Sequence, residues 1–263
     1  MEIKYEEIGR LISGEEYKYE APRQSTLANN RGVIKLHSGY NFEQALEDLE
    51  GFERIWVIYS FHLNSKWKPK VKPPRSPDGR KIGVFATRSP HRPNSIGMSC
   101  VVLDKIVGRN LHIRNFDLLN NTPVLDIKPY IPYCDSFPDS ACGWLQNIED
   151  KQYSFQFSDI ALRKIDFIYK FSGLNIRNFV EVQLSHDPTS AERKRIFTLD
   201  HGRFMLGCRT WRIIFKVISD DCITICDVIS SYSIEEMFCS GEDKYNDKRL
   251  HREFYAEFAD NSA

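Results

Sequence analysis

Eleven of the twelve prolines in this 263-residue chain lie at or before Pro138, and the last is Pro188. Proline fixes φ and removes a backbone donor, so it suits turns and strand ends and costs about 3 kcal/mol inside a helix. The first half of the chain is therefore steered toward short extended runs. They read Glu2 to Ile8, Gly32 to Leu36, Arg54 to Leu63, Ile82 to Ala86, Ser99 to Val107, Asn110 to Phe116 and Pro123 to Ile131. Several alternate or are β-branched, and turn residues part them, which predicts an antiparallel barrel or sandwich. One helix is expected from Asn41 to Leu49, where Phe42, Ala45, Leu46 and Leu49 share a face. Neither a G-x-G-x-x-G fingerprint nor a strand-helix alternation is present, which argues against a Rossmann-type cofactor site.

After about Asp159 the pattern changes. Ile160, Leu162, Ile165 and Ile168 mark a helix behind a Ser158 cap, and Ile176, Phe179, Val180 and Leu184 mark another behind Asn175. Strand-like runs follow at Arg195 to Leu199, Phe204 to Ile218 and Cys222 to Ile229, so two helices on a small antiparallel sheet are expected. The fold class is mainly β: an N-terminal antiparallel β-barrel over residues 1–155, a small α+β domain over 156–230, and a polar tail over 231–263. That tail is expected to be helical near Asp247 to Phe258 or disordered.

Lys plus Arg number 36 and Asp plus Glu number 36, so attraction to nucleic acid has to come from a local patch. No apolar run reaches the length of a membrane span, and the first residues lack a secretory signal, which points to a cytoplasmic protein. The seven cysteines form no C-x-x-C pair, so metal and redox roles are disfavoured and reduced, mostly packed thiols are expected. Cys222 and Cys226 are expected to share a core-facing strand face.

The local patch exists. From Lys66 to Arg92 the chain carries nine cations (Lys66, Lys68, Lys70, Lys72, Arg75, Arg80, Lys81, Arg88, Arg92) against a single acid, Asp78. Prolines 69, 73, 74, 77, 90 and 93 stiffen it, and Trp67 adds a stacking surface. A charge run of this kind is either a solvated loop or a phosphate-binding one. What distinguishes it is the neighbouring run Gly83 to Ser99, an apolar strand entering a rigid turn with Arg88, His91 and Arg92, where two guanidinium forks can grip a carboxylate or phosphate. In the segment Asp117 to Tyr133, Asn120 and Asn121 suit the positive φ of a turn. Asp126 and Lys128 fall on one strand face, either as a surface ion pair or with the carboxylate orienting a substrate N–H. Ala21-Pro22-Arg23-Gln24 offers a proline-fixed turn with a fork donor and an amide, and His62 ends an apolar strand.

Taken in order, P-R-Q at Pro22 to Gln24, W-x-P-x-V-x-P-P-R at Trp67 to Arg75, G-V-F-A-T-R-S-x-x-R-P-N-x-I-G at Gly83 to Gly97 and D-I-K-P-Y at Asp126 to Tyr130 resemble the TsaA-like family, whose characterised bacterial branch is TrmO. The resemblance extends to about Ser230. It implies a tRNA methyltransferase that uses S-adenosylmethionine to methylate N6-threonylcarbamoyladenosine at position 37, beside the anticodon, in threonine tRNAs. It also implies a catalytic β-barrel unlike the Rossmann-like methyltransferases, a small C-terminal domain and a homodimer. Carried over by motif, the cofactor-binding set comprises Pro22, Arg23, Gln24, His62, Leu63, Arg88, Arg92, Cys100, Asn120, Asn121, Thr122 and Pro123. Lys66, Trp67, Lys68, Lys70, Lys72 and Arg75 are expected to face the anticodon arm of the tRNA.

Two motifs depart from the family. Its Asp-Gly-Thr-Pro turn reads Asn120-Asn121-Thr122-Pro123 here, and its D-P-R-P-A-Y reads Asp187-Pro188-Thr189-Ser190-Ala191-Glu192, which bears on tRNA choice. Methyl transfer from a sulfonium is an in-line displacement that asks for alignment and exclusion of water, without a metal. Asp126 is expected to accept the N6–H or position it, with Tyr130 stacking on a splayed base. The competing readings are a non-catalytic RNA-binding module and a methyltransferase of the same fold with another tRNA or a small molecule as substrate.

Overall fold

Strands β1 (Gly9–Ile12), β2 (Arg31–Leu36), β3 (Arg54–Ser60), β6 (Ile96–Val107), β7 (Asn110–Arg114) and β8 (Pro123–Pro129) close into an antiparallel barrel in the order β1-β2-β7-β6-β3-β8. Closure leaves no hydrogen-bonding edge in the barrel. β4 (Lys70–Val71) and β5 (Ile82–Gly83) form a separate two-stranded ribbon. This is a computed structural model, and the residues it describes are 3–22, 29–73, 76, 79–146, 148, 153–185, 188–189 and 195–259. The chain divides into two units, residues 1–150 and 151–263.

Burial alternates along the barrel strands as a two-residue period demands. β3 turns Ile55, Val57 and Tyr59 inward and leaves Trp56 and Ile58 half-buried on the outside. Leu11, Ile34, Val101, Leu111, Ile113 and Phe116 complete the filling, each worth about 1.5–3 kcal/mol of burial. The expected helix at 41–49 is shorter: α1 (Phe42–Ala45) stops, and a 3-10 turn (Leu49–Gly51) follows Asp48, whose φ of 65° breaks the helical path. Of the run expected at 2–8, Ile8 bonds to Val124 O and His37 N–H, and the strand itself starts at Gly9. The run at Ile82 to Ala86 turns into a 3-10 helix after Gly83, which ends its pairing with β4. A short helix, α2 (Pro132–Asp135), follows β8.

In the second unit β9 (Ser154–Phe157) precedes α3 (Asp159–Ser172) and α4 (Ile176–Leu184). Both expected caps form: Ser158 accepts from Ala161 N–H (3.2 Å) and Asn175 from Asn178 N–H (2.9 Å). The sheet is five-stranded, in the order β10 (Ile196–Thr198), β11 (Arg203–Cys208), β12 (Trp211–Ser219), β13 (Cys222–Ser230), β9. Its β13–β9 pair is parallel, so the sheet is mixed rather than wholly antiparallel. The single run expected at Phe204 to Ile218 is two strands, reversed at Arg209, whose φ is 49°.

The tail is ordered into this unit. α5 (Ile234–Phe238) carries a Ser233/Glu236 capping box, and α6 (Lys248–Phe258) buries Leu250, His251 and Phe254. Phe254 and Phe258 lie edge-on to Phe167 of α3, and the Trp211 ring stacks on His251 at 3.8 Å. Apolar contact of this extent is why a mean-polar segment folds here. All seven cysteines are free thiols, but only Cys208 is buried. Cys222 and Cys226 lie on the strand face opposite the buried Ile223 and Ile225, because the core side of β13 takes the β-branched residues.

Candidate active site at the barrel rim

The turn that follows β5 is fixed by its own backbone. Val84 N–H donates to Pro69 O (3.0 Å), the Thr87 hydroxyl donates to Val84 O (2.9 Å), and the Trp144 indole donates to Ala86 O (2.8 Å). Arg92 closes it from below, its Nη1 donating to Thr87 O (2.8 Å) and Val84 O (3.3 Å) with the guanidinium 5.8 Å from the Phe85 ring. Two ligand-gripping forks were expected. Arg92 braces the turn through Nη1, and that turn carries Arg88.

Arg88 is exposed and makes no hydrogen bond among the described residues. Its charge acts on Asp117, Tyr59 and Cys100. These groups sit together because β3 and β6 pair with Tyr59 opposite Gly97 and Trp56 opposite Cys100. The Tyr59 hydroxyl lies 3.2 Å from Ser99 Oγ, and Ser99 donates to Asp117 Oδ1. Burial raises the Asp117 carboxyl above its ordinary range, against the Ser99 hydrogen bond and Arg88, and burial together with Asp117 raises the Tyr59 phenol. Burial also raises the Cys100 thiol, against the pull of Arg54. Close approach at this point requires Gly97: a Cβ there would stand 2.4 Å from the Tyr59 ring.

A second group adjoins the end of β3. Asn120 is braced on every side: its N–H donates to Glu15 O (2.8 Å), its Oδ1 accepts from Ser13 N–H (3.0 Å) and its Nδ2 donates to Glu16 (3.0 Å). Asn121 takes the left-handed conformation (φ 58°) and donates to Leu11 O, and Thr122 is buried as Pro123 opens β8 opposite Arg10. Lys18 Nζ donates to Leu63 O (2.7 Å) and Asn64 Oδ1 (3.1 Å). Partial burial, with the charges of Arg10 and Lys18, holds the His62 imidazole below its ordinary range. Pro22 is buried; Arg23, Gln24 and Arg75 lie outside the described residues.

Glu15 is the buried acid of this group. Its Oε1 accepts from Asn30 Nδ2 (3.1 Å), its Oε2 is buried without a partner, and burial raises its pKa. Asn30 in turn donates to Phe116 O (3.0 Å) and accepts from Phe116 N–H (3.0 Å), joining β2 to the segment that carries Asp117.

Asp126 stands on β8 opposite Ile58 of β3. Its Oδ2 is 3.0 Å from Lys128 Nζ on the outer face, with both side chains about half exposed or more (49% and 62%), and its Oδ1 accepts from Ile127 N–H. The ion-pair alternative is thus the one the geometry takes, since residues two apart on a strand share a face. Tyr130 packs edge-on against Trp56 at 5.7 Å, and Trp56 donates to Asp135 (3.0 Å). Among the basic residues, Lys66, Lys68 and Lys70 are exposed and pair with no described acid, and Trp67 is 54% exposed. His91 pins their loop, donating from Nδ1 to Lys66 O (3.3 Å) while its own carbonyl accepts from Lys68 N–H (3.1 Å). The sequence reading missed Asp117, Ser99, Tyr59 and Glu15. Nothing in their spacing joins them, because the four lie on four different strands or loops. In the altered C-terminal motif only Pro188 and Thr189 are described.

Residues 13–136 match the model of the tRNA-methyltransferase O N-terminal domain. A tRNA (adenine(37)-N6)-methyltransferase of Escherichia coli is 34% identical over 200 residues, covering 73% of this chain and 84% of the relative. The chain belongs to the TrmO family. A putative S-adenosylmethionine-dependent methyltransferase of Pseudomonas aeruginosa is 37% identical, over 78% of this chain and 87% of the relative. The crystal structure of TrmO from Pseudomonas aeruginosa superposes with a TM-score of 0.65 at 28% identity, covering 88% of this chain and 99% of that one. Barrel strands β2, β3, β6, β7 and β8, with Arg88 and Asp117, lie within the part matched to the TrmO N-terminal domain. No helix among the described residues is long and apolar enough to cross a membrane.

Proposed function

We propose that this protein transfers the methyl group of S-adenosylmethionine to N6 of adenine 37 in tRNA, that the adenine already bears an N6-threonylcarbamoyl group in a threonine tRNA, and that the working form is a cytoplasmic homodimer. The observation that carries the reading is Arg88, exposed on the turn that Arg92 braces and without a hydrogen bond among the described residues, in a chain of the TrmO family. The donor set suits the cofactor. Arg88 offers a fork to its carboxylate, Asp117 an acceptor for its ammonium or ribose hydroxyls, and Leu63, 47% exposed, an apolar cover.

When bound, S-adenosylmethionine supplies an electrophilic methyl group on a sulfonium. The chain's own residues orient and shield it. His62, with Pro22 and the Asn121–Pro123 turn, lines the approach, and the braces on Asn120 keep that turn fixed so that little reorganisation is needed. Lys66, Lys68, Lys70 and Lys72, with Arg75, meet the phosphates of the anticodon arm, and Trp67 and Tyr130 offer ring faces to splayed bases. Ile96 and Met98, 37% and 53% exposed on the outer face of β6 beside Ile58, form the apolar strip that a second copy would cover.

The test is methyl transfer from labelled S-adenosylmethionine to threonine tRNA with and without the threonylcarbamoyl group, followed by nucleoside mapping. Label at N6 of position 37 only in the modified tRNA is the expected result. Label at another nucleoside, or none with either tRNA, overturns the reading.

A further inference from the structure

A second cationic surface lies on the outer wall of the barrel, away from the basic proline-rich loop. Strands β1, β2, β7 and β6 form the floor of a cleft of about 740 Å³ there, lined by Ile12, Arg31, Asp104, Lys105, His112 and Arg114 among others. The sequence disperses these residues over a hundred positions, and only barrel closure assembles them. Register places Arg31 directly opposite Arg114, Val33 opposite His112, and His112 opposite Lys105. A register shift between Leu103 and Lys105 turns both Asp104 and Lys105 outward, the re-aiming that a bulge produces.

The charges do not cancel. Arg114 is bound to Asp104 at 2.7 Å, while Arg31 and Lys105 pair with no acid among the described residues. Two arginines facing one another across a strand pair oppose folding, and a single aspartate relieves only one of them. The chain connects the cleft to the candidate active site. Arg114 leads through Asn115 and Phe116 to Asp117, and Arg31 follows Asn30, which bonds to both backbone groups of Phe116. From the Arg31–Arg114 pair to the Lys105–His112 pair is two residues along β7, about 7 Å at the rise of a strand, so the cations run down the wall from the rim.

We propose that this cleft is a second tRNA contact, in which Arg31 and Lys105 bind backbone phosphates of the substrate beyond the nucleotide held at the rim. The proposal rests on the tRNA-methyltransferase reading. Such contacts position without reading sequence, and each neutralised phosphate contributes to the salt dependence of binding.

The experiment measures tRNA binding by fluorescence anisotropy between 50 and 200 mM salt, using total tRNA as probe, for the wild type and an R31A/K105A variant. Both residues are exposed, so the melting temperature should stay within about 2 °C, as surface substitutions usually allow. The variant is expected to bind about tenfold more weakly near 0.1 M salt, with the log–log salt slope shallower by about 1.5, and R31K/K105R should restore both. Lys35→Ala, an exposed cation farther along β2, should leave the slope within about 0.3 of wild type. An unchanged slope in R31A/K105A overturns the proposal, as does a wild type that binds no tRNA. An altered oligomeric state in sedimentation with tRNA affinity intact also overturns it and assigns the cleft to contact between copies. A wild type that binds tRNA through this cleft but transfers no methyl group refutes the methyltransferase reading alone.

Discussion

His251 in the second unit and Arg88 in the first are both basic residues whose charge acts on a carboxyl group, yet their surroundings differ in kind. His251 is wholly enclosed, stacked on Trp211, with Nε2 at 2.9 Å from Thr210 Oγ1 and 3.5 Å from Asp247 Oδ2. Burial pushes the Asp247 carboxyl up, but hydrogen bonds from His251 and Thr210 outweigh it and hold the group below its ordinary range. Burial and the same carboxylate push the Tyr232 phenol up to about 12. That network is used within the fold. Arg88 makes no hydrogen bond among the described residues, is exposed, and exerts its charge on Asp117, whose carboxyl burial raises. The first cluster spends most of its polar atoms inside the fold, with His251 Nδ1 buried and unpartnered, whereas the unused donor of Arg88 is one that a ligand can reach.

The strongest test of the closed half is Phe254→Ala. It empties a site ringed by Phe167, Trp211 and Phe258 and should cost about 4 kcal/mol in denaturant unfolding of the second unit. If the barrel's transition moves with it, the two units do not unfold separately and the contrast fails. For the open half, Arg88→Ala should lower kcat/KM about a hundredfold, equivalent to about 3 kcal/mol for a charge-assisted contact, with the melting temperature unchanged. Comparable loss of stability in that variant would make Arg88 a brace like Arg92. Gly97→Ala sharpens the geometry: forcing a methyl group against the Tyr59 ring should cost about 2 kcal/mol and reduce activity together with stability.

A smaller effect is expected from pH. The Glu15 pKa is raised by burial, so the folded state favours the protonated form, and its contribution is complete below the ordinary value of 4.5 and is lost as pH rises through the folded value. Glu15→Gln should therefore stabilise the barrel at neutral pH, with the gain vanishing toward pH 4 in urea melts. A gain that persists unchanged at low pH would show that the carboxyl's charge is not the cause. The smallest effect should be that of Asp126→Asn: loss of an exposed ion pair costs under about 1 kcal/mol, and turnover should change less than twofold. A large drop in turnover at unchanged cofactor affinity would return Asp126 to the chemistry.

Periodicity and proline placement made the barrel strands legible, because Ile55, Val57 and Tyr59 alternate with half-exposed residues in the sequence as they do in the sheet. The caps at Ser158 and Asn175 were equally local. Less legible was the difference between Arg88 and Arg92. Four residues apart in one motif, they are distinguished only by which carbonyls the folded turn presents. The ordering of the tail was hidden for a related reason: Phe254 and Phe258 find Phe167 some ninety residues upstream. Likewise Asp126 and Lys128 could be placed on one face by counting, but only register showed that face to be the outer one.

The placement of α6 also bears on how the molecule is made. Every barrel strand is complete at Pro129, whereas the core between α3 and the sheet of the second unit lacks Phe254 until α6 has left the ribosome. At about 5–20 residues per second, that interval lasts roughly ten seconds. The barrel can close during it, while the apolar sides of Phe167 and Trp211 wait uncovered, making the nascent second unit the part most in need of chaperone protection.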